Sequence, residues 1–379
     1  MTLQAISRLI RSLWGNMNTF LLLGVLLMVP LANAAGEPAP HWDGRFHNQV
    51  VRPQDGVMKK LRIGLKYLFL RKPPETRPSM PVSLQPMTRQ QVFDAPDHSL
   101  WRLGHSTVLL KLRGRFFITD PVFAERASPV QWAGPLRFHA PPLPLEQLPP
   151  LAAVVLSHDH FDHLDEQAIR RLAPRTAVFL APLGVGDRLM KWGVPPSKVR
   201  QLDWWQEREV EGVRFVATPA QHFSGRGLLD SNRTLWASWV IMDEDVRVFF
   251  SGDTGYFDGF KQIGDRFGPF DLTLMEAGAY NVAWPDVHMQ PEQSLQAHLD
   301  LRGRWMLPIH NGTFDLSIHG WQEPFERILA LTSQAQVRLS TPQIGERVSI
   351  DSPHAGQNWW QPRPVRQRGQ ANKPTVATR

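Results

Sequence analysis

The chain has 379 residues, 42% of them hydrophobic, a formal net charge of +7 and no cysteine. That hydrophobic share is enough to build a large core, and the missing thiols exclude disulfides, thiolate metal ligands, a cysteine nucleophile and a cysteine-linked lipid anchor. The sequence pI near 10.0 calls for an anionic partner; no basic patch with interleaved aromatics marks a strand-binding channel, so anionic lipid or envelope phosphate is expected and nucleic acid is not.

Residues 1–34 read as an export signal. Arg8 and Arg11 give a positive start, Phe20 to Leu31 an apolar core too short for a comfortable membrane span, and Ala32-Asn33-Ala34 a small-x-small cleavage site. Cleavage after Ala34 is expected, an uncleaved anchor being the alternative; either places the protein in the periplasm or on the inner membrane facing it. Residues 35–97 are rich in Pro and polar side chains and read as an extension wrapped over the main domain. Within it, Val57 to Lys72 carries Lys59, Lys60, Arg62, Lys66, Arg71 and Lys72 without an acid. Met58, Leu61, Leu65, Leu68 and Phe69 alternate with them at helical spacing. Such a helix suits docking on the domain or peripheral contact with an anionic bilayer, with Gly64 weakening it in either case.

From residue 98 strands alternate with helices. Trp101 to Leu112 and Arg115 to Asp120 read as strands turning at Arg113-Gly114, and Leu151 to Leu156 as a strand buried on both faces. Helices are expected over Asp165–Ala173 with Asp165 as N-cap, then over Gly184–Trp192, Tyr256–Phe267, Pro291–Leu301 and Pro324–Leu331. Strand-like runs Val213–Thr218, Val246–Ser251 and Trp305–Ile309 fall between them. The alternation predicts a layered α/β domain over residues 98–350, with no internal repeat visible. Trp204, Trp205 and Trp284 are candidates for an apolar entrance. From Asp351 the basic tail, residues 351–379, is Pro-, Gln- and Arg-rich and is expected to be disordered.

The chemistry concentrates where strand-like runs end. Ser157-His158-Asp159-His160-Phe161-Asp162-His163 follows the buried strand, and four titratable groups within six residues would repel and desolvate one another as a core feature without metal. A loop there turns His158 and His160 toward one ion while Asp162 and His163 reach a neighbour. Val213–Thr218 leads through Pro219 to His222, Val246–Ser251 to Gly252-Asp253-Thr254-Gly255, and Trp305–Ile309 to His310. A carboxylate bridges two cations with its two oxygens, which selects Asp253 as the shared ligand. Imidazole nitrogen with carboxylate oxygen suits two Zn²⁺, and Fe²⁺ or Mn²⁺ is compatible. Two such cations roughly 3.5–4 Å apart acidify a shared water and clamp an anionic substrate. A metal-bridging hydroxide is therefore the expected nucleophile, with Asp162 orienting it or accepting its proton.

These residues resemble the signature of the metallo-β-lactamase superfamily, and within it the branch of N-acylphosphatidylethanolamine-hydrolysing phospholipase D and its bacterial relatives. Beside the Ser157–His163 motif, the likeness is carried by Leu103-Gly104-His105-Ser106-Thr107, Thr119-Asp120-Pro121-Val122-Phe123, Gly134-Pro135-Leu136-Arg137-Phe138, Ser251 to Tyr256, Arg266 to Asp271 and Gly278-Ala279-Tyr280. The resemblance implies a four-layer αβ/βα sandwich with the metals at one edge. It implies that His158, His160 and His222 hold one zinc, that Asp162, His163 and His310 hold the other, and that Asp253 holds both. It also places His288 toward the substrate as a second catalytic group and sets His319 before Glu323-Pro324. His288 and His319, with Glu276 and Asp315, are candidates to touch substrate or to orient a ligand imidazole. Where the family often has Trp after the last histidine ligand this chain has Asn311, which is expected to widen or wet the site. The leading functional expectation is a phospholipase D-type phosphodiesterase acting on N-acylphosphatidylethanolamine-like lipids. The alternatives are a lactonase or other carbonyl ester hydrolase, with acyl-homoserine lactone as trial substrate, and a membrane-associated binding protein without turnover.

Overall fold

The computed structural model describes residues 36–50, 72–227 and 229–361. The export segment, the basic stretch apart from Lys72, and residues 362–379 of the tail lie outside the described residues. The fold belongs to the compact unit Pro38–Arg379, distinct from Met1–Glu37.

A hairpin of β1 (His41–Trp42) and β2 (Arg45–Phe46) comes first, followed by α1 (Arg89–Asp94), whose N-terminus carries a capping box from Thr88 and Gln91. The chain then lays down β3 (Ser99–Gly104), β4 (Thr107–Leu112), β5 (Arg115–Thr119) and β6 (Leu151–Val155), then α2 (Glu166–Leu172), β7 (Thr176–Pro182), α3 (Val185–Lys191) and β8 (Val199–Leu202). A second series follows: β9 (Glu207–Val210), β10 (Val213–Thr218), β11 (Ser238–Met242), β12 (Arg247–Phe250), α4 (Gly259–Phe267), β13 (Phe270–Glu276), α5 (Pro291–Asp300), β14 (Gly303–Ile309), α6 (Glu323–Gln334) and β15 (Arg338–Leu339). Finally β16 (Arg347–Ser349) returns to pair with β3.

Two seven-stranded sheets result, ordered β16-β3-β4-β5-β6-β7-β8 and β15-β14-β13-β12-β11-β10-β9. In the first, the ladders from β16 to β5 are antiparallel and those from β5 to β8 parallel. The second repeats that sequence, antiparallel from β9 to β12 and parallel from β12 to β15. The two halves are thus built alike although no repeat is visible in the residues.

Alternation along each strand sends side chains to two different cores, as expected where both sheet faces are covered. Val108, Leu110 and Phe117 meet Phe215, Trp239 and Phe250 between the sheets. On the opposite faces Leu109 and Val154 pack under α2 and α3 through Ile169 and Leu189, and Phe249 and Met306 pack under α4 to α6 through Phe260, Ala297 and Ile328. The layers are helix, sheet, sheet, helix.

Three expectations change. The single strand Trp101–Leu112 is two strands, because Gly104 and His105 take φ of +136° and +51° and turn the chain at His105-Ser106. Trp204 lines no entrance: it is buried between the sheets with Nε1 donating to the Trp236 carbonyl at 2.7 Å. The tail does not lose order at Asp351, since Trp359 and Trp360 pack on Phe325 with ring centroids 5.0 and 4.8 Å away and close a small core with Ile344. Large aromatic surface outweighs the polar composition around it.

Two measurements test this packing. Trp360→Ala should lower stability by about 3–5 kcal/mol, the usual loss for deleting a buried aromatic, in chemical denaturation; an unchanged midpoint would mean the tail is not part of the fold. Burial depresses His298 from its ordinary 6.5 to about 4, and its Nδ1 meets Thr273 Oγ1 at 2.8 Å. The unfolded chain takes up that proton first, so this stability is present above pH 6.5 and is lost as pH falls toward 4, to the extent of about 3 kcal/mol. The fall in Tm from pH 7 to pH 4 should be shallower in His298→Gln than in the unsubstituted chain.

Candidate metal centre

Every side chain of the centre sits where a strand ends on one edge of the sandwich. His105 turns between β3 and β4, Asp120 follows β5, His158 to His163 follow β6, His222 follows β10, Asp253 follows β12, Glu276 ends β13 and His310 follows β14. His105, Asp120 and His310 have φ of +51°, +34° and +62°, a region that costs a non-glycine residue free energy and recurs at functional sites. Gly252, at φ +56°, lets the Asp253 turn lie against the histidine loop, since a Cβ there would fall 2.6 Å from that of Ser157.

The donors gather into two sets, His158/His160/His222/Asp253 and His105/Asp162/His163/His310, each with one donor atom per residue within 4.8 Å of the others. Asp253 lies between them. Its Oδ1 is 3.0 Å from His163 Nε2, and its Oδ2 is 3.0 Å from His310 Nε2 and 3.8 Å from both His158 Nε2 and His222 Nε2. Asp162 Oδ2 stands 3.4 Å from His310 Nε2 and 3.6 Å from His163 Nε2. Imidazole nitrogens also face one another, His158 Nε2 and His160 Nδ1 at 2.8 Å and His222 Nε2 and His160 Nδ1 at 3.3 Å.

This arrangement fits cations. Asp253 Oδ1, His163 Nε2 and His310 Nε2 are buried without a hydrogen-bond partner although they lie close together, an orphaning that a native interior tolerates only where something else is bound. In the metal-free chain protons fill part of that role. Burial opposes charge on His310, but the Asp253 and Asp162 carboxylates outweigh it and lift the group to about 10. His163 is likewise raised against its burial by Asp253, Asp162 and Asp120, while burial and neighbouring imidazoles hold His158 well below its usual value.

A second ring of contacts fixes these rings in place. His222 Nδ1 donates to the Val287 carbonyl at 2.9 Å, which leaves Nε2 for the centre. Asp120 Oδ1 accepts from Ser157 N at 2.7 Å, and its Oδ2 accepts from Ser157 Oγ at 2.5 Å and His163 Nδ1 at 2.7 Å. Glu276 takes the backbone N–H of Thr254 on Oε2 at 2.6 Å and pairs His288 Nδ1 through Oε1. His288 joins the group Asp253/His288/His310, so the two candidates Glu276 and His288 act as a unit at the centre.

Sequence reasoning missed His105 and Asp120 as chemistry. Burial and the nearby His310 depress His105 to about 3, and its Nε2 meets Asp162 Oδ2 at 3.1 Å. The signal was present in Leu103–Thr107 and Thr119–Phe123, segments that carried the resemblance. Two other candidates stay off the donor sets. Asp315 pairs with Lys72 and Arg77, each at 2.8 Å, and His319 stacks on Tyr280 with centroids 4.3 Å apart. Asn311 is held beside His310 by its own hydrogen bonds: its Nδ2 donates to the Ala277 and Ile309 carbonyls and its Oδ1 accepts from Arg102 Nη2 at 2.7 Å.

Residues 115–311 match the family described as the beta-lactamase superfamily domain. The chain belongs to the metallo-β-lactamase superfamily. An uncharacterised protein of Mycobacterium tuberculosis H37Rv is 46% identical over 291 residues, 75% of this chain and 77% of the relative. The N-acyl-phosphatidylethanolamine-hydrolyzing phospholipase D 1 of Caenorhabditis elegans is 39% identical over 243 residues, 60% of this chain and 68% of the relative. Among solved structures an isothiocyanate hydrolase from Delia radicum gut bacteria shares the fold at TM-score 0.52 and 21% identity, covering 66% of this chain and 98% of that one. With the superfamily's fold and clusters able to bind metal, this chain is a metal-dependent hydrolase.

Asp120→Asn offers the direct test of the second ring in this hydrolase. An amide turns a donor toward groups that already donate, so His163 loses its acceptor. The expected result is a 10–100-fold loss of metal affinity, read by competition with a chromogenic chelator; unchanged affinity would mean Asp120 only packs.

Proposed function

We propose that this protein is a binuclear zinc phosphodiesterase of phospholipase D type that acts on N-acylphosphatidylethanolamine-like lipids, yielding phosphatidic acid and an N-acylethanolamine. The observation that carries this reading is Asp253, whose two oxygens reach histidines of both donor sets. In this assignment His158, His160 and His222 hold one cation, Asp162, His163 and His310 the other, and Asp253 both. His105 serves as a positioning residue for Asp162 and is not counted as a ligand. The likeness to the nematode enzyme supports a phospholipid substrate, and a small cleft beside His310 and Asn311, lined by Phe138, Phe314 and Trp321 together with Asp315, Ser317 and His319, adjoins the centre. Phe223, 42% exposed, lies against His160 with centroids 4.5 Å apart and places apolar surface at the other donor set.

Bound cations of this kind supply an acidified water and positive charge for an anionic diester. The rest of the chemistry falls to the chain. Asp162, steadied by His105, orients the attacking water and accepts its proton. His288, fixed through Nδ1 by Glu276, is left with Nε2 to face the substrate, and the exposed Phe223 offers apolar surface to an acyl chain. Export to the periplasm is part of the same proposal, because it brings the protein to envelope lipid. N-terminal sequencing of protein recovered from that compartment should begin at Ala35.

The deciding assay offers the protein N-acylphosphatidylethanolamine, a chromogenic phosphodiester and an acyl lactone, beside Asp253→Ala and a chelated sample. Turnover of the phospholipid is expected, abolished by substitution and by chelation alike. Turnover of the lactone alone would replace the phosphodiesterase reading with a carbonyl hydrolase, and turnover of none would leave a binding protein.

A further inference from the structure

A second cluster of metal-type donors lies at the far edge of the sandwich. His98 immediately precedes β3, whose other end delivers His105 to the centre, so six strand residues or roughly 20 Å separate the two places. Asp243 and Asp245 belong to the turn that joins β11 to β12 in the opposite sheet. One donor atom each from His98, Asp243 and Asp245 lies within 4.8 Å of the others.

Asp243 pairs with His98, and that pair leaves one of its oxygens without a hydrogen bond. Its Oδ1 accepts from Asp245 N and Val246 N, both at 2.9 Å, which locks the carboxylate across the turn. Its Oδ2 is then committed to the other direction. The side chain is only 2% exposed, and Oδ2 is buried with no hydrogen-bond partner. It faces His98 Nε2 at 3.5 Å, without the geometry of a hydrogen bond. A desolvated carboxylate oxygen in that state is costly.

His98 is oriented as a ligand would be. Its Nδ1 meets Asp351 Oδ1 at 2.8 Å, and its carbonyl accepts from Ile350 N at 2.7 Å. A carboxylate on the outer nitrogen fixes the ring orientation and the tautomer, the usual support for a metal-bound histidine. Nε2 is left facing Asp243 Oδ2, and Asp245 beside it is exposed, which provides an entry path.

The geometry points to a third metal site, in which His98 Nε2, Asp243 Oδ2 and a carboxylate oxygen of Asp245 hold one divalent cation, with water completing the shell. One nitrogen and two carboxylate oxygens suit zinc or a neighbouring first-row ion. Because His98 comes from one sheet and the aspartates from the other, the ion staples the two sheets at the edge opposite the hydrolytic centre. Its role is structural: no pocket residue of that centre takes part.

The test compares zinc content, by elemental analysis after desalting, in the full chain, His98→Gln, Asp245→Asn and the control Glu244→Gln. Only the difference between samples is read, so the result does not depend on how many ions the hydrolytic centre holds. The expected outcome is one zinc fewer per chain in His98→Gln and Asp245→Asn, with hydrolysis unchanged. Added zinc should raise Tm further in the full chain and in Glu244→Gln than in the other two, which keep only the response of the hydrolytic centre. Asp245 is exposed, so its substitution tests the site even if His98→Gln folds poorly. Equal zinc content and equal Tm response in all four would reduce the cluster to an ion pair and overturn the inference.

Discussion

Two carboxylates, Asp162 and Asp253, face six imidazoles at the edge of a closely packed sandwich, and their charge has to be balanced there. Asp253 is 2% exposed and Asp162 15%, so water does little of that balancing. An unpaired ion in such a place costs several kcal/mol. Without metal, protons on His163 and His310 supply the compensation. Cations occupy the same electrostatic role with better directionality, and the histidines must release those protons to bind them. The cluster is therefore a site with two ways of being neutral, unlike a surface ion pair, which water can satisfy.

The scaffold answers this demand with further buried carboxylates that act on backbone and on outer ring nitrogens. Asp165 caps α2 through Oδ1, and its Oδ2 accepts the N–H groups of Phe123 and Ala124 at 3.0 and 2.9 Å, tying the loop after β5 to the end of the histidine loop. Asp159 sits inside the histidine motif but turns away from the donors. It binds Arg188 Nε at 2.8 Å, Thr234 Oγ1 at 2.9 Å and Gly225 N at 2.8 Å. That contact clasps the segment after His222 onto the segment holding His158 and His160. Asp120 and Glu276 complete the pattern at His163 and His288. Each loop is thus held by a neighbour that is itself held, and small displacements at one ligand propagate to the rest.

How far the sequence revealed this depended on whether a residue's role was local. The metal donors were legible because each follows a strand-like apolar run, and His158 to His163 crowd titratable groups into a span no ordinary core accepts. Layering was legible from strand and helix alternation. His105 was not, because Trp101 to Leu112 reads as one strand and the backbone turn at Gly104 and His105 breaks it in two. Asp120 was hidden for a different reason: its partners, Ser157 and His163, are distant in sequence, and an Asp after a strand is ordinarily a turn residue. Trp359 and Trp360 were masked by polar neighbours, since composition averages over a window while burial is decided by two side chains. The likeness of the two sheets lies in ladder direction, which residue identity does not encode.

The two edges of the sandwich place opposite demands on the same strands. At the hydrolytic edge, strand ends open into loops whose backbone leaves regular geometry at His105, Asp120 and His310, so ladder hydrogen bonding cannot fix the distance between sheets there. Yet the proposed ligand sets take side chains from both sheets, His158 and Asp162 from the first, Asp253 and His310 from the second. Their separation must then be set by the packed layer between the sheets, where Trp239, Phe250 and Phe117 meet, and by contacts beyond it. Close packing transmits strain with little give. Precision at the reactive edge is then a property of the whole sandwich, with rigid layers standing in for the order that the loops themselves lack.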